Sequence, residues 1–127
     1  MATIKITSIT ILARKYQDAS GNTYYANKIY VGGEGLPSGL LAYEPYAYGY
    51  GTQWLQDATD RLSQYLAPIY GDEGLNEMKY NPLNLAGFCD EHGIALVTDG
   101  AVVRTKKELK EWTITCDREI ERRKQAA

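Results

Sequence analysis

Few residues in this chain have types and spacings suited to chemistry. Cys89 and His92 are set as Cys-x-x-His, Asp72, Glu73 and Glu77 form an acidic group, and glycines cluster at Gly32-Gly33-Glu34-Gly35 and Gly49-Tyr50-Gly51. On a helix, Cys89 and His92 would lie one turn apart and offer two metal ligands or a nucleophile and its base. A structural zinc site takes four ligands, and His92 is the single histidine. A nucleophile–base pair also needs an orienting group and an oxyanion site, which the sequence does not supply. Cys89 and Cys116 are therefore read as core thiols.

The acidic group could draw a cation but lacks the ligand spacing of a calcium loop. The first glycine cluster has no Lys-Ser/Thr after it, as a phosphate loop requires. The second stands before a helical pattern, where backbone N–H groups can meet an anion, and where glycines also simply let a chain leave a strand. Asp57 and Arg61, at i,i+4, read as a helix-surface ion pair worth about 0.3 kcal/mol. The expectation is a protein that is not an enzyme and holds no cofactor and no metal.

Aromatic content is what sets the chain apart. It has 11 tyrosines against one phenylalanine, with Tyr43, Tyr46, Tyr48 and Tyr50 gathered before Trp54. If that segment stays extended, Tyr46, Tyr48 and Tyr50 share one face. Tyrosine combines a large apolar body with a hydroxyl, and it is enriched at interface hot spots. The three rings are read as a partner-binding face. Glu44 and Asp57 are placed with them, favouring a positive patch on the partner. The competing reading is a sheet face covered by the protein's own helix. Rings of this kind also stack on bases, but no Lys or Arg occurs from Tyr30 through Asp60. The basic C-terminus would have to fold beside the rings to neutralise phosphates, which puts nucleic acid second.

Those residues need a scaffold. Ile4, Ile6, Ile9 and Ile11 are β-branched, and the slip between Ile6 and Ile9 predicts a bulge. Asp18 to Asn22 predicts a turn, and Thr23 to Val31 resumes the alternation, giving an antiparallel hairpin. Gly39 to Tyr48 predicts a third strand, at an edge or bulged because of Pro45. A helix capped by Thr52 should run to Ala67, stopped by Pro68, with Ile69 to Tyr80 as a loop. Asn81-Pro82 predicts a cap and first turn, and His92-Gly93 the close of that helix. Ile94 to Val97, a turn at Asp99-Gly100 and Ala101 to Val103 predict a second hairpin. Thr105 with Glu108 forms a capping box for a final helix whose stripe is Leu109, Trp112, Thr113, Cys116 and Ile120, with Thr113-Ile114-Thr115 as a weak point. Trp112 is expected to be largely buried. The fold class is α+β, an antiparallel sheet with helices packed on one face, in the order β-β-β-α-α-β-β-α.

The 127 residues fit one compact domain, 1–127, and the hydrophobic fraction of 44% argues against global disorder. No stretch approaches the roughly 20 apolar residues of a membrane span, and the start lacks the pattern of a secretory signal, so a cytoplasmic protein with no membrane contact is expected. The formal charge of −2 gives little general attraction to nucleic acid. Basic residues are concentrated from Arg104 to Lys124, whereas the stretch from Glu34 to Glu77 is acidic.

The run from Ala13 to Gly33, followed by Tyr46-Ala-Tyr-Gly-Tyr-Gly-Thr-Gln-Trp-Leu-Gln56, resembles small uncharacterised proteins encoded by bacteriophages. Those have a strand–turn–strand unit and an aromatic-Gly-Tyr-Gly segment before a helix. The resemblance covers roughly the first half. Gly32 to Pro37 stands where the relatives look shorter, and the C-terminal half is additional. It implies no catalytic residues. It implies a phage accessory protein in the host cytoplasm that binds and inhibits a host protein, such as a defence component, in the manner of an anti-CRISPR. The alternatives are a nucleic-acid-binding accessory protein, a structural or assembly protein of the particle, a ligand-sequestering protein or a small enzyme.

Overall fold

The computed structural model describes residues 4–71 and 81–126. Its strands are β1 (Lys5–Gln17), β2 (Thr23–Glu34), β3 (Gly39–Tyr48) and β4 (Ala95–Val102); its helices are α1 (Gln53–Tyr70), α2 (Pro82–Glu91), α3 (Lys106–Glu111) and α4 (Cys116–Gln125). The four strands form one sheet in the order β3-β2-β1-β4, so the expected α+β class is the one observed. None of the described helices is long and apolar enough to cross a membrane.

The first hairpin follows directly from local sequence. β1 and β2 pair antiparallel from Lys5↔Glu34 to Gln17↔Thr23, with a bulge between Ile6 and Ser8. Asp18 closes the turn, its carboxylate accepting the Ser20 and Asn22 N–H groups at 2.9 Å each, while Gly21 takes the positive φ of 87° that glycine adopts without a Cβ penalty. β3 then adds antiparallel to β2 as an edge strand, irregular opposite Tyr25–Asn27, where Pro45 falls.

One sheet face carries the main core. Ile9, Ile11 and Ala13 of β1 and Tyr25, Ile29 and Val31 of β2 alternate inward against Trp54, Ala58, Leu62 and Leu66 of α1 and Leu85 and Cys89 of α2. Burying a leucine such as Leu62 contributes about 2–3 kcal/mol. Helices pack against the sheet as expected, α1 and α2 covering this face. The C-terminal helices add a further layer on the opposite face, where Ala26, Leu40, Leu109 and Cys116 are buried.

Three expectations are corrected. Asp99-Gly100 does not turn: Ala95–Val102 is one strand, parallel to β1 over eight consecutive pairs from Ser8↔Ala95 to Lys15↔Val102. The order among the described residues is therefore β-β-β-α-α-β-α-α. Glycine at position 100 serves packing, since a Cβ there would lie 3.2 Å from the Trp54 indole. Pro68 does not stop α1, which continues to Tyr70. A proline in the last turn forfeits a single intrahelical bond, and the extra residues let Tyr70 meet Phe88 edge-on at 5.2 Å and accept the Ile6 N–H at 3.4 Å. Thr52 precedes α1 but its side chain caps nothing; with ψ at 21° rather than extended, its hydroxyl is not aimed at the free N–H groups.

Other helix ends are as read. Asn81 accepts the Leu83 and Asn84 N–H groups, Gly93 takes φ 68° after α2, and Thr105 accepts the Glu108 N–H at 3.1 Å. The weak point at Thr113–Thr115 is a real break that separates α3 from α4.

Candidate functional site

The tyrosines do gather, but around more than their own strand. Tyr46 stacks on Tyr24 of β2, with ring centroids 4.9 Å apart and planes 11° from parallel. Tyr48 meets Tyr24 edge-on at 5.5 Å, and Tyr50 meets Tyr48 edge-on at 5.3 Å. The strand ends at Tyr48, yet the Tyr48 and Tyr50 hydroxyls lie 2.6 Å apart, and the Tyr50 hydroxyl donates to Asn22 Oδ1 at 3.3 Å. Gly49 makes this possible: a Cβ there would fall 2.7 Å from the Gln53 side chain and 2.9 Å from the Tyr25 ring. Tyr48 and Tyr50 remain 58% and 53% exposed, whereas Tyr46 is half-buried.

Positive charge comes from the other end of the chain. The α3 ammonium groups of Lys106 and Lys110 lie 5.4 and 5.2 Å from the Tyr46 ring centroid. The same two lysines, with Lys107, Glu111 and the exposed Ile114, line a cavity of about 440 Å³. Next along the sheet, the Arg14 guanidinium and Lys28 ammonium lie over the Trp112 ring at 4.7 and 4.4 Å. Trp112 is partly exposed and mostly buried, as expected, and what lies over its ring is the cationic ends of Arg14 and Lys28. The C-terminal layer thus adds cation–π contacts, each worth about 0.5–1 kcal/mol when exposed, to the burial of Leu109 and Cys116.

Tyr24, Tyr46 and Tyr50 stay protonated at neutral pH. Desolvation raises Tyr24 and Tyr46 above the ordinary tyrosine range, and the hydrogen bond with Tyr48 does the same for Tyr50. The hydroxyls therefore remain able to donate.

Glu44 and Asp57 belong to a different site. Arg61 Nη2 donates to Glu44 Oε2 at 2.9 Å, its Nη1 donates to the Tyr43 carbonyl at 3.0 Å, and its Nε lies 3.5 Å from Asp57. The fully buried Asn27 completes this network, donating to the Trp54 carbonyl at 3.1 Å and to Asp57 at 3.2 Å. These contacts tie α1 to β2 and β3 on the face opposite the tyrosines. What reads as a surface ion pair between Asp57 and Arg61 is one arm of that clamp. Trp54 is buried beneath it.

The remaining chemical candidates fare differently. Cys89 is buried, and burial pushes its thiol up to about 11, the reverse of an activated nucleophile. The His92 ring packs against Phe88 at 4.3 Å and Tyr70 at 5.0 Å. No group of three or more His, Cys, Asp or Glu side chains suited to a metal occurs among the described residues. Asp72, Glu73 and Glu77 lie outside the described residues.

Sequence reasoning missed Tyr24, Lys106, Lys110 and Ile114. The clue was the basic composition of the C-terminal stretch, which alone does not say where the helix lands. No protein-family model, curated protein or solved structure matches the chain.

Proposed function

We propose that this chain is a non-enzymatic binding protein that recognises a partner protein through Tyr48 and Tyr50, flanked by Lys106, Lys110 and Ile114. The resemblance of its first half to phage-encoded proteins supports reading it as an accessory protein that occupies and inhibits a host protein. One observation carries the site: two exposed tyrosines stand beside a tyrosine roofed by two ammonium groups. Rigid rings bury area at small entropic cost, and the neighbouring cavity fits an apolar side chain. The cations over Tyr46 favour an acidic patch on the partner, the opposite of what Glu44 and Asp57 suggested, while Asp18 sets a negative charge near Tyr24, Tyr46 and Tyr50.

The test is capture from bacterial host lysate, followed by titration of the captured protein. Tyr48→Ala and Tyr50→Ala should keep the wild-type melt and bind at least tenfold more weakly, about 1.4 kcal/mol. Full affinity in both variants removes the assignment.

Nucleic acid is the second reading, supported by the same lysines, since folded beside tyrosines they supply the phosphate-neutralising charge that the tyrosine segment lacks. Retardation of a single-stranded oligonucleotide that weakens steeply with salt and disappears in the Lys106→Glu/Lys110→Glu variant would favour it.

A further inference from the structure

The two edges of the sheet are built differently. β3 carries Pro45 and two register irregularities, the Arg61 guanidinium occupies its Tyr43 carbonyl, and Arg123 of α4 lies against Gly39. These are the devices by which proteins block an edge from pairing with another chain. β4 has none of them. It holds eight consecutive pairs with β1 without a slip, contains no proline, lysine or arginine, and has Asp99 as its one charge. Nearly all its residues are exposed, Val97 at 54% and Val102 at 77%. Among the described residues no strand pairs with its outer side.

The direction of its free groups follows from one bond. The Val103 N–H donates to the Lys15 carbonyl at 2.8 Å, so alternate residues back along the strand, Ala101, Asp99 and Val97, turn their N–H and C=O groups toward β1. Leu96, Thr98, Gly100 and Val102 then turn theirs outward. Unpaired backbone groups on a straight strand are complementary to another extended strand.

We propose that β4 pairs antiparallel with β4 of a second copy of this chain, about a two-fold axis at Thr98, making one eight-stranded sheet. Two-fold dimers are the commonest closed assembly, and in an isologous edge pairing one residue must face itself. The centre of the strand offers Thr98 or Asp99. An axis at Asp99 sets two carboxylates opposite each other, whereas an axis at Thr98 pairs two threonines and places Asp99 across from Val97 of the second copy. Thr98 also has the outward N–H and C=O groups that a self-facing, doubly hydrogen-bonded pair requires.

A neighbouring element carries exposed apolar surface. α2 meets α1 through Phe88, which packs on Tyr70, and also contacts β4; its flank opposite Phe88 carries Leu83, 83% exposed, and Ala86 one turn on. A strand edge alone falls short of the ~800 Å² per partner of a standard interface. The dimer is accordingly concentration-dependent.

Sedimentation of the full chain from low to high micromolar concentration tests this. The expected result is a monomer–dimer equilibrium, shifted to monomer by Thr98→Pro, with Thr98→Lys as the second variant should proline perturb folding. Under mild oxidation Thr98→Cys should cross-link to itself, the ~5.5 Å Cα spacing of such a pair matching disulfide geometry, and Asp99→Cys should not. A monomer throughout the range, or a dimer that neither substitution weakens, overturns the proposal; cross-linking through position 99 in place of 98 overturns its register.

Discussion

The side-chain oxygen of Asn27 accepts the backbone N–H of Glu44 at 3.0 Å, across the irregularity where β3 passes Pro45. Both amide hydrogens of the same residue are used, one on the Trp54 carbonyl and one on Asp57. A polar side chain with no exposure thus completes a hydrogen-bond set that the bulge would otherwise leave open. Asn27→Leu strands the Glu44 N–H and removes one hydrogen bond each from the Trp54 carbonyl and Asp57. The expected loss is about 2–4 kcal/mol, read from denaturant melts. A loss near zero would mean that water replaces the amide.

Trp112 is held in part by two cations over its ring. Trp112→Ala is expected to cost about 1–3 kcal/mol, below the ~3–5 kcal/mol of a fully buried tryptophan. A double-mutant cycle with Lys28→Met should return a coupling of about 0.5–1 kcal/mol. Additive losses would deny the cation–π contact.

The tyrosines divide into support and contact. Tyr46, stacked on Tyr24 beneath two lysines, should lower the melting temperature when replaced by alanine. Tyr48 and Tyr50 should leave it unchanged and affect binding alone. Thermal melts of the three single variants show this split before any partner is in hand.

Alkali should loosen the C-terminal layer. The Tyr43 hydroxyl donates to Asp117 of α4 at 2.7 Å, and that bond pushes the phenol from 10.0 up to about 12. A raised tyrosine stabilises the fold fully below its unfolded value, and the contribution is lost as pH rises through the folded one. Stability should therefore fall between pH 10 and about 12. Tyr25, raised to about 12 mainly by burial, contributes to the same fall. Tyr43→Phe should flatten the part due to Asp117, measured as melting temperature against pH.

Local elements were legible in the sequence because local chemistry specifies them. The Asp18–Asn22 turn, the Asn81-Pro82 start and the Thr105–Glu108 box each involve residues within five positions. β4 was not legible, since Asp99-Gly100 has turn composition and only a distant partner, β1, together with the Trp54 ring, explains it as strand. The site failed in a more instructive way. Glu44 and Tyr46 are two residues apart and should share a face. Between the pairs Tyr25↔Ala47 and Asn27↔Glu44, β3 carries two residues against one on β2, and that extra residue reverses the alternation. The acidic group therefore turns to α1 and the tyrosine toward α3, whose lysines arrive from about sixty positions away.

The parallel seam between β1 and β4 has a consequence for how the chain assembles. β1 lies inside the sheet, yet its second neighbour is synthesised some eighty residues later. The β1–β2–β3 meander can close early through short loops, but the Ser8–Lys15 backbone keeps one flank unsatisfied until Ala95–Val102 arrives. Closing so long a loop adds an entropic barrier that local pairing escapes. The docking of β4 is thus expected to be the slow step of folding, leaving an interior strand open to any passing extended segment until it occurs.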